Sequence, residues 1–247
     1  MIKIIGIGLW DERSMTIKAQ EEAADCDIIY AEFYTSKMFG STLKKLEKKI
    51  GKEIQELSRE EVESGKEILK KAKKQKVGLL VGGDAMTATT HAQLILDAAK
   101  AGVESKIIHG VSIFSAAAGL SGLQSYKFGK TVSIPFEDLE SPYNVIEENQ
   151  SIGAHTLCLL DIRDGKFMTV NEAIRKLLKI EKAREENVFM KDSLAVGIAR
   201  AGSPKPVVKA GTAEELLKKN FGEPLHVLII PGKLHFAEEG ALELLKK

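Results

Sequence analysis

The sequence predicts an α/β fold of two lobes, with a mostly parallel sheet in the first and a mixed sheet in the second. Three observations carry this expectation. Strand-like and helix-like patterns alternate from Ile2 to Ile108, the order that builds a parallel sheet with helices on both faces. Two apolar runs, Val77 to Val81 and Lys106 to Ile108, each end in a turn of small and polar residues and then enter an Ala-rich helical pattern. Beyond residue 110 short strands dominate and helices thin out, so the lobes divide there, into residues 1–110 and 111–247.

In chain order, Ile2–Ile7 is the first strand and Thr16–Ala24 a helix with one apolar stripe. Asp27–Ala31 is a second strand, and Thr42–Ile50 a helix stopped by Gly51. Ser58-Arg59-Glu60-Glu61 is a capping box that opens a Lys/Glu-rich helix reaching Gln75. The strand Val77–Val81, a helix over Thr90–Ala101 and the strand Lys106–Ile108 complete the first lobe. In the second, Thr131–Pro135, His155–Ile162, Leu194–Ala201, Val207–Gly211 and His226–Ile230 read as strands. Helices are expected at Asn144–Glu148, Asn171–Arg184, Ala213–Lys219 and Glu238–Lys246. Tyr126–Tyr143, which carries Pro135 and Pro142, reads as a connection or functional loop.

Bulk composition narrows the function. The 36 basic and 35 acidic side chains nearly cancel, which argues against a nucleic-acid-binding protein. No apolar run approaches the roughly 18 residues of a membrane span, and the start of the chain reads as a strand rather than a signal peptide. Cys26 and Cys158, the only cysteines, are expected to be reduced packing residues of a cytoplasmic protein. The five histidines lack metal-ligand spacing, so no metal is expected.

The two turns, Gly83-Asp84-Ala85-Met86-Thr87-Ala88-Thr89-Thr90-His91 and His109-Gly110-Val111-Ser112-Ile113-Phe114-Ser115-Ala116, lie about 25 residues apart. Ligands of open α/β sheets sit at strand carboxyl ends, where helix N-termini offer unpaired N–H groups, so one small-molecule site is expected. Asp84 suits ribose hydroxyls or an ammonium; a cap on the helix that follows is the alternative, but Thr87, Thr89, Thr90 and His91 crowd too many polar groups into that start for capping alone. Ser112 is a natural N-cap whose neighbouring N–H groups remain open to a ligand. His91 reads equally well as a packing residue. Gly6-Ile7-Gly8-Leu9-Trp10-Asp11 begins like a dinucleotide fingerprint. Asp11, however, stands where the third glycine belongs and would repel a pyrophosphate, so NAD is disfavoured despite Glu32 at the second strand's end. No Gly-x-Ser-x-Gly elbow is present, which disfavours a hydrolase.

Further segments join these: Gly6 to Arg13, Ala31-Glu32-Phe33-Tyr34-Thr35-Ser36, Ala88-Thr89-Thr90-His91, Tyr126-Lys127-Phe128-Gly129-Lys130, Leu160-Asp161-Ile162, Ala199-Arg200-Ala201-Gly202-Ser203 and Pro231-Gly232-Lys233-Leu234-His235. In these residues, in order from 6 to 235, the chain resembles the diphthine synthases, of the tetrapyrrole-methylase-like class of S-adenosylmethionine-dependent methyltransferases. It departs from their usual Pro-Gly-Asp-Pro, having Gly82-Gly83-Asp84-Ala85.

The resemblance implies a tetrapyrrole-methylase-like, two-lobed homodimeric enzyme that binds S-adenosylmethionine in the ligand cleft between the lobes and releases S-adenosylhomocysteine. Such an enzyme methylates the amine of a 3-amino-3-carboxypropyl histidine on translation elongation factor 2, giving diphthine on the way to diphthamide. Carried over by position, the cofactor contacts are Leu9, Asp84, Thr87, Ser112, Ile113, Leu160, Ala201 and His226. The residues by themselves point to Asp84, Thr87 and Ser112. The other five follow from the resemblance alone. No catalytic residue is assigned, although Glu32 and Tyr34 are proton acceptors by composition. A methylase acting on a carboxylate-rich corrinoid precursor would share the fold and cofactor. It would need several basic residues in the cleft, and only Lys127, Lys130 and Arg200 offer themselves. A non-catalytic module that senses an adenosyl ligand is the remaining alternative.

Overall fold

In the computed structural model, which describes residues 1–34, 38–163 and 165–246, the chain divides into two units, Met1–Ile113 and Phe114–Lys247. Thr35 and Ser36, quoted above in one resemblance segment, lie outside the described residues.

The first unit runs β1 (Ile2–Gly6), α1 (Ile17–Ala24), β2 (Ile28–Glu32), α2 (Leu43–Ile50), β3 (Gln55–Glu56), α3 (Arg59–Ser64), α4 (Lys66–Ala72), β4 (Val77–Val81), α5 (Ala92–Lys100) and β5 (Ser105–Ile108), and α6 (Ile113–Ser121) starts at its end. The strands pair in parallel in the order β3-β2-β4-β1-β5, with Gly6 and Glu32 both opposite Val81 and Ile5 opposite Ile108. All carboxyl ends therefore share one edge. Side chains alternate across the pleat. Ile5 and Ile7 pack with Ala19, Ala23 and Leu46 of α1 and α2, while Ile2 and Ile4 pack with Val62, Ile68 and Leu94 of α3, α4 and α5. Helices thus cover both faces, as the alternating pattern predicts.

Two details of this unit differ from the sequence reading. The capping box at Ser58 forms, but the expected single helix to Gln75 is cut by Gly65, whose φ of +60° ends α3 and starts α4. The short strand β3 went unforeseen because its two residues are exposed and carry no apolar signal.

The second unit continues with β6 (Val132–Ile134), α7 (Ser141–Ser151), β7 (Thr156–Leu160), β8 (Ile162–Arg163), β9 (Lys166–Phe167), α8 (Val170–Arg184), β10 (Leu194–Ala199), β11 (Val207–Thr212), α9 (Ala213–Leu217), β12 (His226–Ile230) and α10 (Phe236–Leu245). Its sheet, in the order β11-β10-β12-β7-β6, is antiparallel except for the parallel β6–β7 pair. This is the mixed sheet expected. Tyr143, Ile146, Ile174, Leu177 and Leu216 bring α7, α8 and α9 onto a core with Cys158, Ala195 and Leu228.

The segment Tyr126–Tyr143 is less of a loop than it reads. It holds β6, and its last residues form the first turn of α7, where Pro142 loses no helical hydrogen bond. The strand expected to reach Ile162 stops at Leu160, and Ile162–Arg163 pairs instead with β9.

Candidate active site

At the carboxyl edge of the first sheet the two glycine-bearing turns meet. Gly8 and Gly83 exchange main-chain hydrogen bonds of 3.1 and 2.7 Å, joining the turn after β1 to the turn after β4. A Cβ at Gly6 would stand 2.7 Å from the Gly83 carbonyl oxygen and 2.8 Å from the Gly110 nitrogen. One at Gly110 would stand 2.4 Å from that same oxygen. Only glycine permits so close an approach of three backbones. At Gly83, by contrast, φ is +77° and a Cβ would meet nothing nearer than Leu9 and Val111 at 4.0 Å, so it is the left-handed backbone and not crowding that favours glycine there.

Asp84 fastens this edge. One carboxylate oxygen accepts from His109 Nδ1 at 2.9 Å and the Gly110 N–H at 3.1 Å; the other accepts from the Met86 N–H and the Thr87 hydroxyl, both at 3.2 Å. Burial alone would raise its pKa, but the Met86, His109 and Gly110 donors outweigh that and hold the carboxyl below its ordinary value. The two turns picked out by the sequence are therefore joined directly through Asp84. The helix-capping alternative fails, because α5 begins only at Ala92, after His91. Both carboxylate oxygens already have two donors, so a ligand hydroxyl would have to displace one. The side chain of His109 is 78% exposed and free to swing away.

Of the other expected contacts in this unit, Leu9 and Thr87 are half-buried on either side of Gly83, and Ser112 and Ile113 stand at the start of α6. The Thr87 hydroxyl gives its proton to Asp84 and keeps lone pairs for an external donor. Ala88, next in the chain, has a φ of +56°, a left-handed conformation that costs a non-glycine residue about 1 kcal/mol or more. Asp11 accepts from the Arg13 N–H and guanidinium, so the fingerprint-like turn spends its carboxylate on its own backbone rather than on a ligand.

Behind this edge lies a buried polar group. Glu32, at the end of β2, is fully buried, and its Oε1 is 3.7 Å from Nε2 of His91, itself 1% exposed. Burial keeps His91 below the usual imidazole pKa, and the Ala85 carbonyl offsets this only in part. The buried Tyr34 hydroxyl has no hydrogen-bond partner among the described residues. Burial, with the nearby Glu32 charge, pushes its pKa up to about 12. Neither acceptor suggested by composition suits proton removal from a substrate: Glu32 is shielded from one, and Tyr34 holds its proton too tightly.

In the second unit, Leu160 ends β7, His226 begins β12, and Ala201 follows β10 by two residues. Antiparallel pairing of Ala199 with His226 and of Val227 with Leu159 brings all three to one end of that sheet. The β7–β12 register stops one pair short of Leu160 and His226. The His226 ring is committed to the protein. Nδ1 accepts from the Val170 N–H at 3.3 Å, so Nε2 carries the proton and shares it with the Gly222 and Glu223 carbonyls, each at 3.1 Å. Burial depresses its pKa despite those carbonyls. His226 therefore has only its main chain to offer a ligand. Arg200, with a φ of +55°, donates to the Phe221 and Glu223 carbonyls.

Sequence reasoning gave no role to His109 as the partner of Asp84, and no role to Gly6 and Gly110 as points of contact. A glycine at or just beyond the carboxyl end of a strand was the available signal; the pairing across about 25 residues needed the sheet. What results is a class of α/β protein that offers a small-residue, polar cradle at strand carboxyl ends. The family model described as Tetrapyrrole (Corrin/Porphyrin) Methylases matches residues 1–217.

At full length the chain is 50% identical to the diphthine synthase of Methanosarcina mazei, covering 98% of this chain and 94% of that protein. It is 48% identical to the diphthine synthase of Methanocaldococcus jannaschii, covering 99% and 98%. A solved crystal structure of a diphthine synthase superposes with a TM-score of 0.92 at 42% identity, covering 99% of this chain and 95% of the other. The chain belongs to the diphthine synthase branch of the tetrapyrrole methylase family.

Proposed function

We propose that this chain is an S-adenosylmethionine-dependent methyltransferase that methylates the amino group of the 3-amino-3-carboxypropyl histidine of elongation factor 2, giving diphthine. The observation that carries this reading is identity of about half the residues, over nearly full length, with diphthine synthases from separate archaea. S-adenosylmethionine supplies a methyl on a sulfonium already activated for displacement. The cofactor contacts we assign are Leu9, Asp84, Thr87, Ser112, Ile113, Leu160, Ala201 and His226. Several features fit such a group. The absence of a side chain at Gly83 lets a ligand approach its main chain, and the Thr87 lone pairs suit an ammonium. The main chain of Leu160 and His226, beyond the last strand pair, suits a base edge.

The residues of this site orient and desolvate rather than carry out proton chemistry, since orientation alone supplies roughly 7–11 kcal/mol of barrier lowering. An amine of ordinary pKa, about 8, has a neutral minority at pH 7 that can attack without a strong base. This agrees with the shielding of Glu32 and the high pKa of Tyr34.

The corrinoid alternative loses support from the basic residues it would need. Lys127 bonds Glu238 and the Lys233 carbonyl, Lys130 bonds Glu148, and Arg200 bonds two carbonyls. We further propose a homodimer working in the cytoplasm; among the described residues no helix is long and apolar enough to cross a membrane. Incubation with methyl-labelled S-adenosylmethionine and elongation factor 2 bearing the aminocarboxypropyl histidine tests the function. Label on the factor is expected. Label only on a corrinoid precursor, or binding without transfer, overturns it. Light scattering of the pure protein tests the dimer.

A further inference from the structure

His91 has a bond on one side of its ring and a conflict on the other. Nδ1 lies 3.4 Å from the Ala85 carbonyl oxygen, which also receives the Thr89 hydroxyl at 3.4 Å. A carbonyl has no proton to give, so this contact requires the proton on Nδ1, and a neutral ring then turns a bare lone pair toward Glu32. Nε2 meets no hydrogen-bond partner, and 3.7 Å away stands a carboxylate oxygen in fully buried surroundings. Two acceptors facing each other at low dielectric repel, unless the pair holds one further proton. With it, the ring is pinned between Glu32 and Ala85. Ala85 directly follows Asp84, and its own N–H lies against Gly6 in the crossing of the three turns. The imidazole thus braces the turn 84–87 from beneath, with β2 as its anchor.

We propose that His91 is a positioning residue, held by the Glu32 carboxyl, that fixes the turn carrying Asp84 and Thr87 in its ligand-binding shape. The proposal rests on reading that turn as part of the cofactor site. Its first test needs no cofactor. In nucleoside-free protein, nitrogen NMR of the His91 ring is expected to show Nδ1 protonated. His91→Leu is expected to speed amide exchange at Met86 and Gly110 about tenfold, the effect of losing one buried hydrogen bond. His91→Asn, which keeps a donor near the Nδ1 position, is expected to restore most of that protection. Glu32→Gln, whose amide N–H can donate to Nε2, is expected to keep it, whereas Glu32→Leu loses it.

The second test titrates S-adenosylhomocysteine into each variant by calorimetry and follows methyl transfer. His91→Leu is expected to raise Kd and the cofactor KM about tenfold with little change in kcat, and His91→Asn to stay near wild type. Equal behaviour of the Leu and Asn variants in exchange and affinity overturns the proposal. So does a fall in kcat at full affinity in Glu32→Gln, which would make Glu32 a proton acceptor. Wild-type protein that takes up no nucleoside sinks the cofactor reading instead, and the exchange data still decide whether His91 braces the turn.

Discussion

Asp84→Asn removes one oxygen from a carboxylate that four donors share. His109 Nδ1 and the Gly110 N–H meet one oxygen, and the Met86 N–H and Thr87 hydroxyl meet the other. An amide offers a single oxygen, so two donors are left facing an NH2 group whichever way it turns. A hydrogen bond to a charged group contributes about 1.5–3 kcal/mol, and the Asp84 side chain is only 10% exposed, so solvent replaces little of the loss. The exposed His109 can turn to water, which brings the expected cost to about 2–4 kcal/mol. At this chain length that is a fall in Tm of roughly 5–15 °C, if the affected unit melts with the whole.

The pH dependence follows from the direction of the shift. A carboxyl whose folded pKa lies below its unfolded value of 3.8 stabilises fully above pH 4 and loses that stability as pH falls through the folded value. Wild type and variant should therefore differ most above about pH 5 and converge in acid. Calorimetric scans at pH 7 and in an acid series measure both, and titration with S-adenosylhomocysteine should show weakened binding. A variant with wild-type Tm and wild-type affinity would refute the claim that Asp84 both fastens the two turns and shapes the site.

Three further outcomes are expected. Gly110→Ala should lower stability by about 3 kcal/mol in urea unfolding and weaken cofactor binding, because its Cβ would stand 2.4 Å from a main-chain oxygen that cannot swing aside. Glu238→Gln should cost about 2–3 kcal/mol at pH 7. Burial would raise the Glu238 pKa, but Lys127, the Gln124 and His235 N–H groups and His155 bring it down to about 2. The contribution is thus complete above pH 4.5 and lost as pH falls toward 2, and the gap between variant and wild type should close over that window in acid-unfolding curves. Gly65→Ala should cost about 1 kcal/mol, since φ is +60° and its Cβ would crowd Leu94, with nucleoside affinity unchanged in the same titrations.

What sequence could and could not decide divides along physical lines. Alternation of continuous apolar runs with one-sided helical stripes predicted the parallel sheet, because its strands are buried on both faces and its helices on one. The small and polar turns after Val81 and Ile108 marked the carboxyl edge of the sheet as the place for a candidate site, because ligands of open α/β sheets sit there. The capping box at Ser58 and the glycine stop at Gly51 announced their helix ends by chemistry local to a few positions. Leu160, Ala201 and His226 carried no such local mark. They come to one sheet end only through antiparallel register, a pairing between segments far apart in the chain. That Val170, Gly222 and Glu223 use both nitrogens of the His226 ring is also a matter of residues distant in the chain or in a turn no pattern marks. Likewise Asp84 and His109 were both visible as residues, but their contact depends on β4, β1 and β5 lying side by side. Sequence by itself determined which groups this protein has and which elements carry them. Tertiary structure alone decided which groups meet, because hydrogen bonds and charge act over a few ångströms in space, however distant the residues are along the chain.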